Sequence, residues 1–246
     1  MIRTTVSRAA RIALIGSTLA TAGLAANAAD LNIANLTSQD QFRLLSKDLG
    51  STLSYKGLVP AESLGIIGFD VGVGLTATKL KNADVFKAAT SGASSLKTLP
   101  LTSLRAHKGL PFNVDLGLAV STVPSTNIRN TAGEIRWAFV PGGIAMPALA
   151  VRASGSFLSG VDNLKLRTTG VDLSISKGFL MVTPYAGIGT VSVKSTPDAG
   201  GLKVEKFSQS KVFGGVNVNL GLANLAVETD KTGDATSYGL KVGFRF

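Results

Sequence analysis

Tyr238-Gly-Leu-Lys-Val-Gly-Phe-Arg-Phe246 alternates without a break: Tyr238, Leu240, Val242, Phe244 and Phe246 fall on one side of an extended chain, and Gly239, Lys241, Gly243 and Arg245 on the other. Successive side chains of a strand point to opposite faces, so a period of two marks a strand with one apolar face. The same period recurs upstream. Phe69, Val71, Val73 and Leu75 oppose Asp70, Gly72, Gly74 and Thr76, and Val114, Leu116, Leu118 and Val120 oppose Asp115, Gly117, Ala119 and Ser121. Ile135 and Trp137 flank Arg136, Val151 and Ala153 flank Arg152, Val171 and Leu173 flank Asp172, and Val212 follows Lys211 in the same sense. The pattern predicts ten strands, near 66–78, 99–107, 111–122, 128–140, 147–158, 164–177, 181–194, 207–220, 222–230 and 235–246.

What opposes the apolar residues decides between a soluble sheet and a membrane one. The second face is mostly Gly, Ala, Ser and Asn with isolated charges, which suits a crowded interior and not a water-exposed surface. Only 16% of the 246 residues are charged, where a soluble domain has about a quarter, and the mean hydropathy is +0.30. Past residue 30 no apolar run approaches the roughly 20 residues of a spanning helix, whereas strands of nine to eleven residues match the hydrocarbon thickness. Lipid cannot satisfy an open sheet edge, so such a sheet has to close. The expected fold is all-β, a closed antiparallel transmembrane β-barrel of about ten strands over 66–246, preceded by a short amphipathic helix. Short inner turns are expected at 108–110, 141–146, 178–180 and 221, and the longest outer loops at 79–98 and 195–206.

The first 28 residues read as a secretory signal peptide. Arg3, Arg8 and Arg11 precede the apolar run Ile12 to Ala26, and Ala26-Asn27-Ala28 offers a small-x-small cleavage site. Formal charge is +10; without those three arginines about +7 remains, which favours anionic partners. No cysteine is present, which excludes disulfides, thiolate metal sites and a cysteine nucleophile. In the segment 29–65, Ser38-Gln39-Asp40-Gln41 reads as a capping box. Phe42, Leu45 and Leu49 then give one apolar helical face, and Gly50 is expected to stop the helix, giving 39–49. Its apolar face requires a partner, so the segment is expected to be a periplasmic cap or a partial plug.

The ending Gly-Leu-Lys-Val-Gly-Phe-Arg-Phe resembles the C-terminal targeting signal of bacterial outer-membrane proteins. That resemblance implies binding of Tyr238, Leu240, Val242, Phe244 and Phe246 by the barrel assembly machinery, and location in the outer membrane. Residues 170–189 (GVDLSISKGFLMVTPYAGIG) also resemble a family of uncharacterised outer-membrane barrels, a likeness that implies no activity.

Little else points to chemistry. His107 is the single histidine, with Ser103 four residues back; the topology puts it at the inner end of a strand, whereas barrel enzymes of this class work at the outer rim. It is expected to be a polar interfacial residue. Gly68, Gly72 and Gly74 lie within a strand and lack the strand-to-helix turn of a phosphate loop. No nucleic-acid partner, no cofactor and no metal are expected. The inward charges carry more information. Asp70, Asp115, Glu134, Asp172 and Glu228 share a face with Arg105, Arg136, Arg152, Lys211, Lys241 and Arg245. Buried charges need partners, so an ion-paired plug is expected in preference to an open pore. Phe112, Trp137, Phe139, Tyr185, Tyr238, Phe244 and Phe246 are expected in an outward aromatic girdle. Lys79, Lys81, Lys87, Lys97, Lys203 and Lys206 suit a basic outer rim facing lipopolysaccharide phosphates. The expected function is a non-enzymatic outer-membrane barrel with a structural or narrow-pore role. The alternatives are a passive uptake channel, with helix 39–49 as its hatch, and an outer-membrane enzyme using His107.

Overall fold

A computed structural model describes residues 29–92, 96–198 and 201–246. The expected signal peptide, 1–28, lies outside the described residues. Ten strands form a closed antiparallel barrel: β1 (Phe69–Lys79), β2 (Thr98–Leu110), β3 (Val114–Thr122), β4 (Arg129–Val140), β5 (Ala148–Ser159), β6 (Leu164–Ser176), β7 (Val182–Pro197), β8 (Glu205–Leu220), β9 (Ala223–Thr232) and β10 (Ala235–Arg245). Each strand pairs with its sequence neighbours, and β1 closes on β10 in the register Asp70↔Arg245 to Lys79↔Thr236. At the seam Phe69 and Phe246 exchange two backbone hydrogen bonds of 2.9 Å. Closure leaves no strand edge unpaired, which is what an apolar surround demands.

The faces are inverted relative to a soluble sheet. Val73, Leu118, Ile135, Leu173, Ile188, Val227 and Val242 are exposed, whereas Arg136, Lys211 and Lys241 are among the largest fully buried side chains. The apolar set of the period-two pattern therefore faces outward, as expected of a barrel in lipid.

One end of the barrel, the loop end, carries connections 80–97, 123–128, 160–163, 198–204 and 233–234. The other, the turn end, carries 111–113, 141–147, 177–181 and 221–222, with the start of β1 and the end of β10. Two expected features differ. β2 runs on through Lys108-Gly109-Leu110, because Leu110 still pairs with Val114; the turn forms at Pro111–Asn113, where proline has no N–H for the ladder. The connection 79–98 also holds a helix, α2 (Ala83–Ala89), whose Phe86 is buried.

The N-terminal segment is neither a cap at the turn end nor a helix that stops at Gly50. It begins at the loop end, where Leu31 N–H donates to Asn127 Oδ1 at 3.0 Å and Asn32 N–H to the Ala89 carbonyl at 2.9 Å. Helix α1 (Gln39–Leu53) then enters the lumen. Ser38 caps it by accepting from Gln41 N–H at 3.3 Å, while the Gln41 side chain reaches back to Thr37 N–H at 2.9 Å. The helix passes through Gly50 because the wall needs the space. A Cβ there would lie 2.6 Å from Val193 Cγ2, so glycine serves close packing and not termination. Phe42, Leu45, Leu49 and Leu53 meet Leu99, Leu101, Ile128, Leu158, Leu166, Val191 and Val193 in one buried cluster. The apolar core thus fills the loop half of the lumen. Beyond Leu53 the chain descends without regular structure to Gly65 and turns into β1.

Candidate functional site: the plugged lumen

An irregular chain inside a barrel carries amides and carbonyls with no ladder to join, and each must find a partner. The wall supplies one at almost every level. Asn130 Nδ2 donates to the Leu53 carbonyl at 3.2 Å, Lys211 Nζ to the Tyr55 carbonyl at 2.7 Å, and Arg105 to the Lys56 carbonyl. Lower down, Glu228 Oε2 accepts from Leu58 N–H at 3.2 Å, and Arg136 donates to the Pro60 carbonyl at 2.8 Å. Ser176 Oγ accepts from Ala61 N–H at 3.1 Å, and Asp115 Oδ1 from Leu64 N–H at 3.1 Å. The inward charges are therefore hydrogen-bond partners of the plug as well as of one another.

Between strands they form two ion-paired groups, one running from Asp115 through Arg136, Glu134, Arg152, Asp172 and Lys211 to Asp230, the other at the seam. Arg152 is the centre: its Nε and a terminal nitrogen meet Asp172 Oδ2 at 2.8 and 2.7 Å, and its other terminal nitrogen reaches Glu134 Oε2 at 3.2 Å. The guanidinium also lies 5.8 Å from the Tyr55 ring centroid and 5.1 Å from that of Phe213, within cation–π range. Gly57 of the plug faces it, and a Cβ at that position would fall 2.0 Å from the guanidinium. Lys211 joins Asp172 at 3.5 Å to Asp230 at 3.9 Å. Arg136 binds Asp115 at 2.6 Å. Near the seam, Lys241 holds Asp70 at 2.5 Å; Arg245 stands 3.9 Å from Asp70 and 3.8 Å from Glu62.

All eleven expected charges face inward. Ten are buried and Arg245, at the turn end, is half-buried. The sequence reading missed others. Asp230 has the parity of Glu228, and His107 that of Arg105, so the alternation already pointed inward. His107 is not interfacial: its Nε2 lies 2.9 Å from the Tyr55 hydroxyl and 3.6 Å from Glu134, and the residue is 2% exposed. Tyr185 is likewise not part of the girdle. Val182, Ala186 and Ile188 face out, so Tyr185 faces in, and its hydroxyl donates to Glu228 at 3.0 Å. The other six girdle residues are exposed. Tyr55, Lys56 and Glu62 had no such signal, because the segment that carries them has no period. Asp230 and Glu62 join the acids of these ion-paired groups, and Lys56 joins the bases.

Ser103 and His107 sit on one face of one strand with Arg105 between them. Four residues of strand span roughly 13 Å, which is far beyond the reach of a hydroxyl-to-imidazole hydrogen bond. One cavity between Thr52, Tyr55, Arg105, Ser121 and Asn130 has a volume of about 20 Å³, about the space of a single water.

No family model matches this sequence, and no curated protein sequence matches it. Solved structures resemble it at low identity. A loop-deletion mutant of OmpT, an outer-membrane protein of Vibrio cholerae, is 15% identical with a TM-score of 0.32; the match covers 61% of this chain and 54% of that one. This chain therefore spans about half of that protein's length. The N-terminal β-barrel domain of Pseudomonas aeruginosa OprF is 14% identical with a TM-score of 0.32, covering 72% of this chain and 97% of that one. The KdgM porin is 10% identical with a TM-score of 0.36, covering 73% and 99%.

Proposed function

We propose that this is a non-enzymatic integral protein of the bacterial outer membrane, exported by its N-terminal signal and closed by its own residues 39–64. The observation that carries this reading is the hydrogen bonding of the lumen charges to the plug backbone. A pore wall that selects ions would present those charges to water; here each is spent on a carbonyl, an amide or an opposite charge. The outward apolar band, the aromatic residues near both strand ends and the closed seam support a lipid environment. Pairing of the terminal strand with β1 supports its role as the element that the assembly machinery holds until closure.

A passive uptake channel with the plug as hatch is the second reading. It is favoured by residues 54–64, whose backbone is held largely by side-chain hydrogen bonds from the wall, beside small apolar clusters at Tyr55 and Ala61. One experiment separates the two. Ser46 Oγ and Ser195 Oγ are 2.9 Å apart, on α1 and β7, and the native chain contains no cysteine. In Ser46→Cys/Ser195→Cys, oxidation ties the plug to the wall. A sealed barrel is silent in planar bilayers whether oxidised or reduced. Conductance that appears on reduction and vanishes on oxidation replaces the sealed barrel with the hatch.

A further inference from the structure

Three basic residues on the outer surface stand directly beside one another. Arg167 on β6 pairs in register with Lys194 on β7, which pairs with Lys206 on β8, and all three side chains are exposed. Adjacent strands lie about 4.8 Å apart, so three positive charges fall within about 10 Å. Like charges directly opposite one another destabilise a sheet. Among the described residues none of the three has an ion pair or a side-chain hydrogen bond. The nearby acids are engaged elsewhere: Asp198 holds Lys165 at 2.7 Å, and Glu205 turns inward to Gln39 and Arg43. Among the described residues no acid offsets the repulsion within the row.

Its surroundings are graded along the barrel axis. One layer towards the turn end lie Thr169, Ser192 and Ser208, with the two serine hydroxyls 3.0 Å apart; two layers further lie Leu173, Ile188 and Val212. The basic row and the hydroxyl row line one shallow, open depression on the outer surface, over the backbone of β6, β7 and β8. Cations at the rim, hydroxyls beneath and aliphatic side chains below repeat the order of a phosphorylated lipid: anionic head, polar ester region, acyl chains.

We propose that this depression binds the phosphorylated headgroup of an outer-leaflet lipid, with Arg167, Lys194 and Lys206 on the phosphate oxygens and the acyl chains lying over Leu173, Ile188 and Val212. Arginine and lysine donors make short charge-assisted bonds to phosphate. Loop lysines alone would give a diffuse attraction; a registered row gives a site. The inference rests on the membrane location proposed above, and on the loop end facing outward.

The test is binding of rough lipopolysaccharide to the folded, detergent-solubilised barrel, read by native mass spectrometry. The triple variant Arg167→Gln/Lys194→Gln/Lys206→Gln is expected to bind at least tenfold more weakly, while Lys108→Gln, an exposed lysine at the turn end of β2, binds as the native chain does. Enzymatically dephosphorylated lipopolysaccharide should bind the native barrel as weakly as the intact lipid binds the triple variant. Inorganic phosphate at millimolar concentration should not compete, since the acyl chains contribute. Equal binding by the native and triple-variant barrels, or full competition by inorganic phosphate, overturns the lipid site. Should the triple variant fail to fold, the single variant Lys194→Gln, at the centre of the row, carries the same comparison. Because binding is read in detergent, its loss does not bear on the proposed location, and recovery of the chain outside the outer membrane on cell fractionation would overturn that location without altering the binding result.

Discussion

Lys211 on β8 donates its ammonium proton to the carbonyl of Tyr55, 2.7 Å away in the plug, while standing 3.5 Å from Asp172. One buried cation thus serves both the wall and the chain threaded through it, and the barrel must close around that chain for the contact to form. Replacing Lys211 by methionine keeps the length of the side chain but strands a carbonyl and leaves Asp172 and Asp230 short of positive charge. Breaking one partner of a buried ionic network costs about 3–5 kcal/mol. Lys211→Met should lower the urea midpoint in detergent accordingly; a loss under about 1 kcal/mol would mean the site is hydrated.

Arg152 divides its bonds unequally, closer to Asp172 than to Glu134. Double-mutant cycles should therefore give a larger coupling for Arg152→Gln with Asp172→Asn than for Arg152→Gln with Glu134→Gln. Equal, near-zero couplings accompanied by a change in ion selectivity would sink the plug and favour a pore.

Gly50 offers a test whose sign is decided by packing. Alanine is favoured over glycine in a helix interior by about 0.8–1 kcal/mol, so an unpacked helix would be stabilised by Gly50→Ala. In the barrel the new methyl meets Val193 at 2.6 Å, and overpacking of this kind costs about 1–3 kcal/mol. Net destabilisation in urea is expected. Stabilisation would show that α1 does not lie against β7.

The path of residues 29–38 across the loop end makes a topological prediction. Ala34 is exposed at that end and Asn113 at the other. In a chain without cysteine, Ala34→Cys should react with a membrane-impermeant maleimide on intact cells, and Asn113→Cys only after lysis. The reverse pattern would invert the barrel in the membrane.

Two changes test the membrane embedding itself. Leu173→Arg places a cation on the apolar outer band and should cost about 2–4 kcal/mol in folding from lipid vesicles. Removing Phe246 deletes both backbone bonds with Phe69 and the ring contact at 5.5 Å. Export should continue while the heat-modifiable barrel form declines; undiminished recovery at native expression would reject the terminal strand as an assembly signal.

The amino-acid sequence by itself determined the strands and their faces, because a period of two is a local property: Lys241 points inward whatever surrounds it, since Leu240 and Val242 point out. Strand ends came within three residues for the same reason. The same parity assigns Asp230, His107 and Tyr185 to the lumen, although residue type alone suggested otherwise for the tyrosine. Tertiary structure decided the rest. That α1 runs past Gly50 depends on Val193, about 140 residues away in the chain. Tyr55, Lys56 and Gly57 become central because an irregular segment has no internal partners and must take its hydrogen bonds from the wall. No periodicity encodes such a path. It exists only once ten strands have closed around it and turned Asn130, Lys211, Arg136 and Asp115 towards its backbone.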